Sequence, residues 1–355
     1  MAISKIEIKN FTVFEDVAID FSGGINLIMG ENGTGKTHLL KLLYACNHGT
    51  TTQDDNNYIT KMENLNECFN INYNSLFKNS RKPIEIISCL SELDENYFFK
   101  IYPLVLENDI NDINNLPIGT ILSKISENGV SVESLRAISL SLIYIPAKDM
   151  LTHSKGLLAM ANKYRKDMPF DKTLLDIIDI SLRWKLDEIP RIAKNIIPKL
   201  ENIIGGKIIV ENDTFFVQKD DNRKVNFSVE AEGIKKIGLL WQLLMNESLT
   251  NETILLWDEP EANINPKLIP DLVEIMLELS RNGVQIFVAT HDYIFAKYFE
   301  VKRKENDTVL FHSLYKTDNG VQCESNENFR DLKNNSIISA FDALMNEVID
   351  KNLGD

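Results

Sequence analysis

"MGENGTGKTHLL", from Met29 to Leu40, places Gly30, Gly35, Lys36 and Thr37 at the spacing G-x-x-x-x-G-K-[ST]. Glycines let several backbone N–H groups turn inward on a bound anion, because few side chains obstruct the approach. A helix beginning at the end of the loop adds the positive end of its dipole. The flanks supply that setting. "GGINLIMG" gives a turn at Gly23–Gly24 and then an apolar run, Ile25 to Met29, that reads as a buried strand. "KTHLLKLLYA" sets Leu39, Leu40, Leu42 and Leu43 as the packed face of a helix. Strand, loop and helix make a phosphate cradle whose expected ligand is ATP. Gly30, Glu31, Asn32, Gly33, Thr34, Gly35, Lys36, Thr37 and His38 are its expected binding residues. Lys36 would reach the terminal phosphates, and the Thr37 hydroxyl would take one position on Mg²⁺.

Two further stretches extend the reading. In "TILLWDEPEANINP" a short apolar strand, Ile254 to Trp257, ends in Asp258 and Glu259. A carboxylate at the end of a central strand lies at the sheet edge where a nucleotide sits. Asp258 is expected to support the magnesium, and Glu259 to orient and deprotonate an attacking water. In "GVQIFVATHDYIF" the run Val284 to Ala289 is followed by Thr290–His291. A neutral imidazole there could contact a γ-phosphate or the attacking water. The three signals in order predict an α/β P-loop NTPase that hydrolyses ATP.

Bulk properties narrow the class. With 355 residues, 44% hydrophobic and 25% charged, the chain can bury a large core as one or two α/β units. A net charge of −14 does not support nucleic acid as the main partner. Cys46, Cys68, Cys89 and Cys323 lack C-x-x-C spacing, so neither a disulfide framework nor a zinc site is expected. No apolar stretch is long enough to span a bilayer, and "MAISKIEIKNF" alternates like a strand. The expected setting is cytoplasmic, without membrane contact.

Elsewhere, Ile3–Lys9 and Val17–Phe21 read as strands, and "KPIEIISCLSELDENYFFKIYP" as a hairpin turning near Glu95–Asn96. Ala137–Ala147 holds a further buried strand, and 150–205 is mostly helical in period. "GKIIVENDTFFVQKDDNRKVNFSV" suggests a hairpin turning at Asp220–Asn222. Asn334–Asn352 reads as an amphipathic helix with Ile337, Ile338, Phe341, Leu344, Met345, Val348 and Ile349 on one face. Polar insertions lie at Asn47–Asn57 and Glu107–Gly119. No repeat and no sustained heptads are present.

"GENGTGKT", "LLWDEPEANINP" and "VATHD" in this order, with the opening "IEIKNFTVFEDVAIDF", resemble the ABC-type ATPase heads of the SMC, RecF and overcoming-lysogenization-defect group. The resemblance covers about 50 residues at the start and about 70 from Glu230 to Tyr298. It implies a mixed-sheet core with an inserted helical lobe in one head, 1–355. The core halves would be 1–46 and 207–325, the hairpin and helical insertion 47–206, and the terminal helix 334–352. It further implies that Thr37 and Asp258 hold the metal, Glu259 is the general base and His291 the switch histidine. Such heads dimerise around two ATP molecules, each completed by a signature turn of the other subunit. In "VEAEGIKKIGLLWQLL" Glu232 and Gly233 stand at that turn, with Ala231 where a serine hydroxyl is expected. Asn265 stands where these heads carry an aspartate that crosses the dimer interface. Thr12 replaces a basic residue of the relatives' N-F-x-x-F turn. In place of a glutamine loop the chain offers "IPAKDML", where Lys148 or Asp149 could sense nucleotide or form a structural ion pair.

Four kinds of ATPase share these motifs. A transporter subunit normally has a better signature than "VEAEGIKK". An SMC- or RecF-like DNA-associated ATPase of the coiled-coil type needs heptads in the roughly 210 residues between its motif halves. A nuclease of the overcoming-lysogenization-defect type needs an acidic metal domain after the ATPase, and about 60 residues follow His291. The expectation is therefore a stand-alone head that regulates a separate effector, a nuclease or toxin, as in bacterial anti-phage modules. The alternative from another class is a nucleotide-gated scaffold with negligible turnover.

Overall fold

Alternation at the N-terminus builds the first sheet. In the computed structural model, which describes residues 1–47, 65–70, 73–79, 82, 84–91, 96–101, 121–125, 140–164 and 168–353, β1 (Ile3–Phe11) and β2 (Phe14–Asp20) pair antiparallel, with Ile6 opposite Ile19 and Ile8 opposite Val17. After β3 (Ile25–Gly30), β4 (Ile84–Leu90) joins the other side of β1. Then β5 (Asn96–Ile101) and β6 (Ile121–Ile125) complete the order β2-β1-β4-β5-β6. The hairpin pairing read from residues 82–103 is present; its turn lies outside the described residues, as do most of 47–57 and all of 107–119.

The apolar runs form a second sheet. It contains β3, β7 (Ser141–Ile145), β11 (Thr253–Asp258), β12 (Gln285–Thr290), β13 (Val309–Thr317) and β14 (Gly320–Asn326), in the order β14-β13-β3-β12-β11-β7. All pairs are parallel except β13 with β14. A parallel sheet is stable when both faces are covered, which is why these strands read as continuous apolar runs. Leu27, Met29, Leu255, Trp257, Ile286 and Val288 pack into a core on one face, while Ile28, Ile254, Leu256, Phe287 and Ala289 enter a second core on the other.

The remaining segment between the motifs forms β8 (Gly206–Glu211), β9 (Thr214–Lys219) and β10 (Lys224–Asn226). This is a three-stranded meander, not a single hairpin. The turn at 220–223 was legible. The tighter one at Asn212–Asp213, where both residues take positive φ (48° and 56°), was not read because neither is glycine.

Helix α1 (Lys36–Asn47) follows the glycine loop. The expected single packed face proves too modest: Leu39, Leu40, Leu42, Leu43, Tyr44, Ala45 and Cys46 are all buried. One side lies on the parallel sheet, and the other meets α3 (Lys172–Ser181), where Lys41 pairs with Asp171 at 2.6 Å and the Tyr44 hydroxyl donates to Asp176 at 2.7 Å. The first core is covered by α3 together with α2 (Leu157–Tyr164), α4 (Ile197–Ile204), α5 (Glu232–Met245), α6 (Ile269–Arg281) and α7 (Tyr293–Lys302). Last comes α8 (Ser336–Leu353). Its first turn is anchored, with Ile337 and Ile338 against the core and Phe341 stacked on Tyr293 at 3.9 Å and 4°. Beyond that stack Leu344, Met345, Val348 and Ile349 are exposed (41–54%). No helix among the described residues is long and apolar enough to cross a membrane.

Candidate functional site

Because β3, β12 and β11 are parallel neighbours, their C-terminal ends open on one edge of the sheet, where the loops that follow them meet. Gly30, at the end of β3, takes φ +150°, and a Cβ there would stand 2.4 Å from the Leu314 carbonyl oxygen. Gly35 takes φ +89°, with Val13 and Phe14 within 2.8 Å of where a Cβ would lie. Both positions therefore require glycine, for conformation and for space. Glu31, Asn32 and Gly33 are exposed at the tip, and the Thr34 hydroxyl donates to the Glu31 carbonyl at 2.8 Å.

Lys36 is 7% exposed, and its Nζ donates to the carbonyls of Gly30 (2.8 Å) and Glu31 (3.0 Å). Burial lowers its pKa against the pull of Glu259 and Asp258. Thr37 Oγ1 donates to Asp258 Oδ2 at 2.9 Å. A second hydroxyl, that of Tyr144 on β7, reaches the same oxygen at 3.4 Å. Burial pushes the Asp258 carboxyl above its ordinary value, and the Thr37 bond pulls it partly back. A buried carboxylate beside a neutral hydroxyl is a hard oxygen pair of the kind Mg²⁺ takes, with remaining positions left to phosphate and water. His38 faces away from this pair: its ring packs edge-on to Phe69 at 5.5 Å, its Nδ1 is buried without a hydrogen-bond partner, and burial lowers its pKa.

Glu259 lies just past β11 at φ +47°, a strained backbone for a residue with a Cβ. Its amide donates to the Ala289 carbonyl at 2.9 Å, and Lys236 Nζ donates to its carbonyl at 2.7 Å. These bonds turn its carboxylate toward the end of β12, where Oε1 lies 3.2 Å from His291 Nδ1. Both side chains remain open to solvent, 32% for Glu259 and 52% for His291. A carboxylate and an imidazole in this relation can hold a water between them and the cradle and move its proton.

The residues expected to serve a second subunit lie apart from this cluster of contacts. Glu232 begins α5 and accepts from Lys235 Nζ at 2.6 Å. Gly233 is buried against its own chain: a Cβ there would meet the Asn263 carbonyl oxygen at 3.0 Å and Ile264 Cα at 3.2 Å. Asn265 is exposed and caps the turn Pro266–Leu268 by accepting from the Lys267 amide. In "IPAKDML", Asp149 stands 3.7 Å from buried Lys235 and accepts from the Leu151 amide.

Two family models match parts of the chain: an "AAA domain, putative AbiEii toxin, Type IV TA system" over residues 129–296, and an "AAA domain" over 5–166. Among curated proteins the chain is similar to the DNA replication and repair protein RecF of Acetivibrio thermocellus, 27% identical over 51% of this chain and 49% of that one. It is also similar to the L-cystine import ATP-binding protein TcyN of Bacillus subtilis, 27% identical over 32% of this chain and 44% of that one. The chain thus spans about half the length of these relatives, or less. Among solved structures, an SMC head bound to the C-terminal winged-helix domain of ScpA superposes with TM-score 0.55 at 16% identity, covering 93% of this chain and 99% of that one. A Pyrococcus furiosus SMC head with extended coiled coil gives 0.52 at 13%, covering 97% and 99%. The chain thus has the fold of an SMC head. Over parts of its length it is similar to AAA domains of the AbiEii description and to RecF.

Several buried polar residues at the site escaped sequence reading. Tyr144 reaches Asp258 from β7, a strand far from the motifs in sequence. Lys236 reaches the Glu259 carbonyl from α5. Glu261, 7% exposed, accepts from Thr290 Oγ1 at 2.5 Å. The repeated acid in "DEPE" was the available signal for the last.

Proposed function

We propose that the chain binds MgATP and hydrolyses it. The observation that carries this reading is the convergence, at the ends of three adjacent parallel strands, of the glycine loop with Lys36 and Thr37, of Asp258, and of the Glu259–His291 pair. In it the P-loop amides and Lys36 take the phosphates, and Thr37 and Asp258 hold Mg²⁺, which screens the charge that develops on the phosphates. Glu259 accepts a proton from the attacking water, and His291 orients that carboxylate and the γ-phosphate. ATP turnover by the purified chain, lost in Glu259→Gln while ATP binding persists, tests this; turnover unaffected by that change removes the assignment.

The cycle is proposed to close two heads around two nucleotides, with exposed Glu232 and Asn265 on the facing surface and Gly233 just beneath it at the start of α5, and to act on a separate effector protein. A matching family description that names a toxin–antitoxin system supports a second component. So does the exposed apolar stripe Leu344, Met345, Val348 and Ile349, which offers a contact surface outside the ATP site. The relatives named for DNA replication and repair favour a second reading, a DNA-associated ATPase. A net charge of −14 weighs against it. Nuclease and DNA-binding assays on the isolated chain, both negative under the first reading, separate the two.

A further inference from the structure

The end of β11 and the sharp turn after it carry three acids, Asp258, Glu259 and Glu261, and only the first two face the nucleotide edge. Glu261 turns inward. Its side chain is nearly fully buried, and Thr290, at the end of β12, is fully so. Thr290 Oγ1 donates its one proton to Glu261 Oε1 at 2.5 Å and accepts the Asp292 amide at 3.0 Å. A hydroxyl used as donor on one side and acceptor on the other has a fixed rotamer. Asp292 is itself held, since its Oδ1 caps α7 by accepting from the Phe295 amide at 2.6 Å. His291 therefore sits between two residues tied to the same oxygen atom, and that atom is tied to the turn that carries Glu259.

The arrangement costs stability. Burial pushes the Glu261 carboxyl up to about 7, and its Oε2 is buried with no hydrogen-bond partner. An apolar residue of similar size would suit such a position better if only folding mattered. What the buried acid gives is a rigid cross-link between the ends of β11 and β12, beside a half-exposed imidazole whose one polar contact among the described residues is to Glu259, at 3.2 Å.

We propose that Glu261 is a positioning residue for hydrolysis, holding His291 in register with Glu259 through the Thr290 hydroxyl. The proposal rests on the reading of Glu259 and His291 as the hydrolytic pair, and it explains why that turn carries a third acid. Misplacement of a reacting group by about an ångström lowers rates by up to roughly a hundredfold.

Steady-state ATP hydrolysis and the ring C–H NMR signal of His291 in the nucleotide-free protein, assigned with His291→Gln, test it together. Thr290→Val, which removes the hydroxyl at constant shape, should lower kcat by roughly ten- to a hundredfold with KM for ATP within about twofold. Thr290→Ser should restore it. Glu261→Leu should lower kcat likewise while the thermal midpoint holds or rises, and Glu261→Gln, which keeps an acceptor, should stay near wild type. The His291 signal should move in the Val and Leu variants and return in Ser and Gln. An unchanged kcat and an unmoved signal in Thr290→Val overturn the proposal. So does a fall in kcat, KM and thermal midpoint together that Ser does not rescue, the mark of a merely structural pair. If the wild-type chain turns over no ATP, the hydrolytic reading fails, and the NMR signal alone then decides whether Glu261 positions His291.

Discussion

Thr37 and Asp258 stand 221 positions apart in the chain and meet through one hydrogen bond, Oγ1 to Oδ2, at 2.9 Å. The bond links the start of α1 to the end of β11 and marks where a hard cation fits. Asp258→Asn keeps an acceptor for Thr37 and removes the charge. The Mg²⁺ concentration for half-maximal turnover should rise on the order of tenfold or more. A magnesium titration that superimposes on the wild type would show that the metal is held elsewhere.

Lys36 supplies the only side-chain cation of the glycine loop. Its bonds to the carbonyls of Gly30 and Glu31 are bonds a phosphate would replace. Lys36→Ala should leave the fold intact and give no heat of binding in calorimetry at ATP concentrations that saturate the wild type. Affinity within about a factor of three of wild type excludes the loop as the phosphate site.

Glu259→Gln removes the proton acceptor and keeps shape and backbone conformation. Turnover should fall by roughly a hundredfold to ten-thousandfold, the usual weight of a general base, while ATP binding is retained. With hydrolysis blocked, the ATP-bound dimer should be the longest-lived form by light scattering. A monomer under saturating MgATP would rule out the two-head arrangement.

The signature turn is better probed at Ala231 than at Gly233. A side chain at Gly233 would press on the chain's own Asn263 carbonyl, so its loss of activity would report local packing and trans contact alike. Ala231 is the N-cap of α5 and offers no side-chain acceptor. Ala231→Ser should stabilise the fold by about 1 kcal/mol through capping, and it places a hydroxyl where a partner's γ-phosphate is expected. The ATP-induced dimer should tighten. A higher thermal midpoint without any change in dimer affinity would place the facing surface elsewhere.

His312 gives the fold an acid limit. It is fully buried, with Nε2 donating to Asn26 Oδ1 at 3.2 Å and Nδ1 accepting from the Ser325 hydroxyl at 2.7 Å. Burial holds its pKa down at about 3. Between the unfolded value near 6.5 and that value, the unfolded chain binds the extra proton and the folded chain does not. Stability should therefore fall with pH across this window, by up to about 1.4 kcal/mol per pH unit from this group. Denaturant midpoints at pH 7, 6 and 5 should show this slope, and His312→Gln should flatten it; parallel slopes would assign the acid sensitivity to other groups.

The parts of this molecule that were legible are those whose signal is local. Glycines at fixed spacing announced the cradle, and apolar runs ending in Asp258 and Thr290 announced the strands of a sheet covered on both faces. Other features depend on partners distant in sequence. Tyr144 looks like any buried strand residue until β7 is laid beside β11. Glu261 looks like a surface acid until Thr290 is seen against it. The turn at Asn212–Asp213 was missed for a different reason: its positive φ values are carried by residues that tolerate them without advertising them as glycine does.

The stack of Phe341 on Tyr293 sits two residues beyond His291, near the base of an 18-residue helix. From Phe341 to Leu353 the helix extends about 18 Å at 1.5 Å per residue. The far half of the helix, bearing Leu344, Met345, Val348 and Ile349, has nothing among the described residues covering those side chains. Mechanically it is a lever with its fulcrum at the aromatic pair. A tilt of roughly 10° at that fulcrum sweeps the tip through about 3 Å. Any change in the direction of that helix at Tyr293 is therefore larger at the apolar stripe than at the aromatic pair.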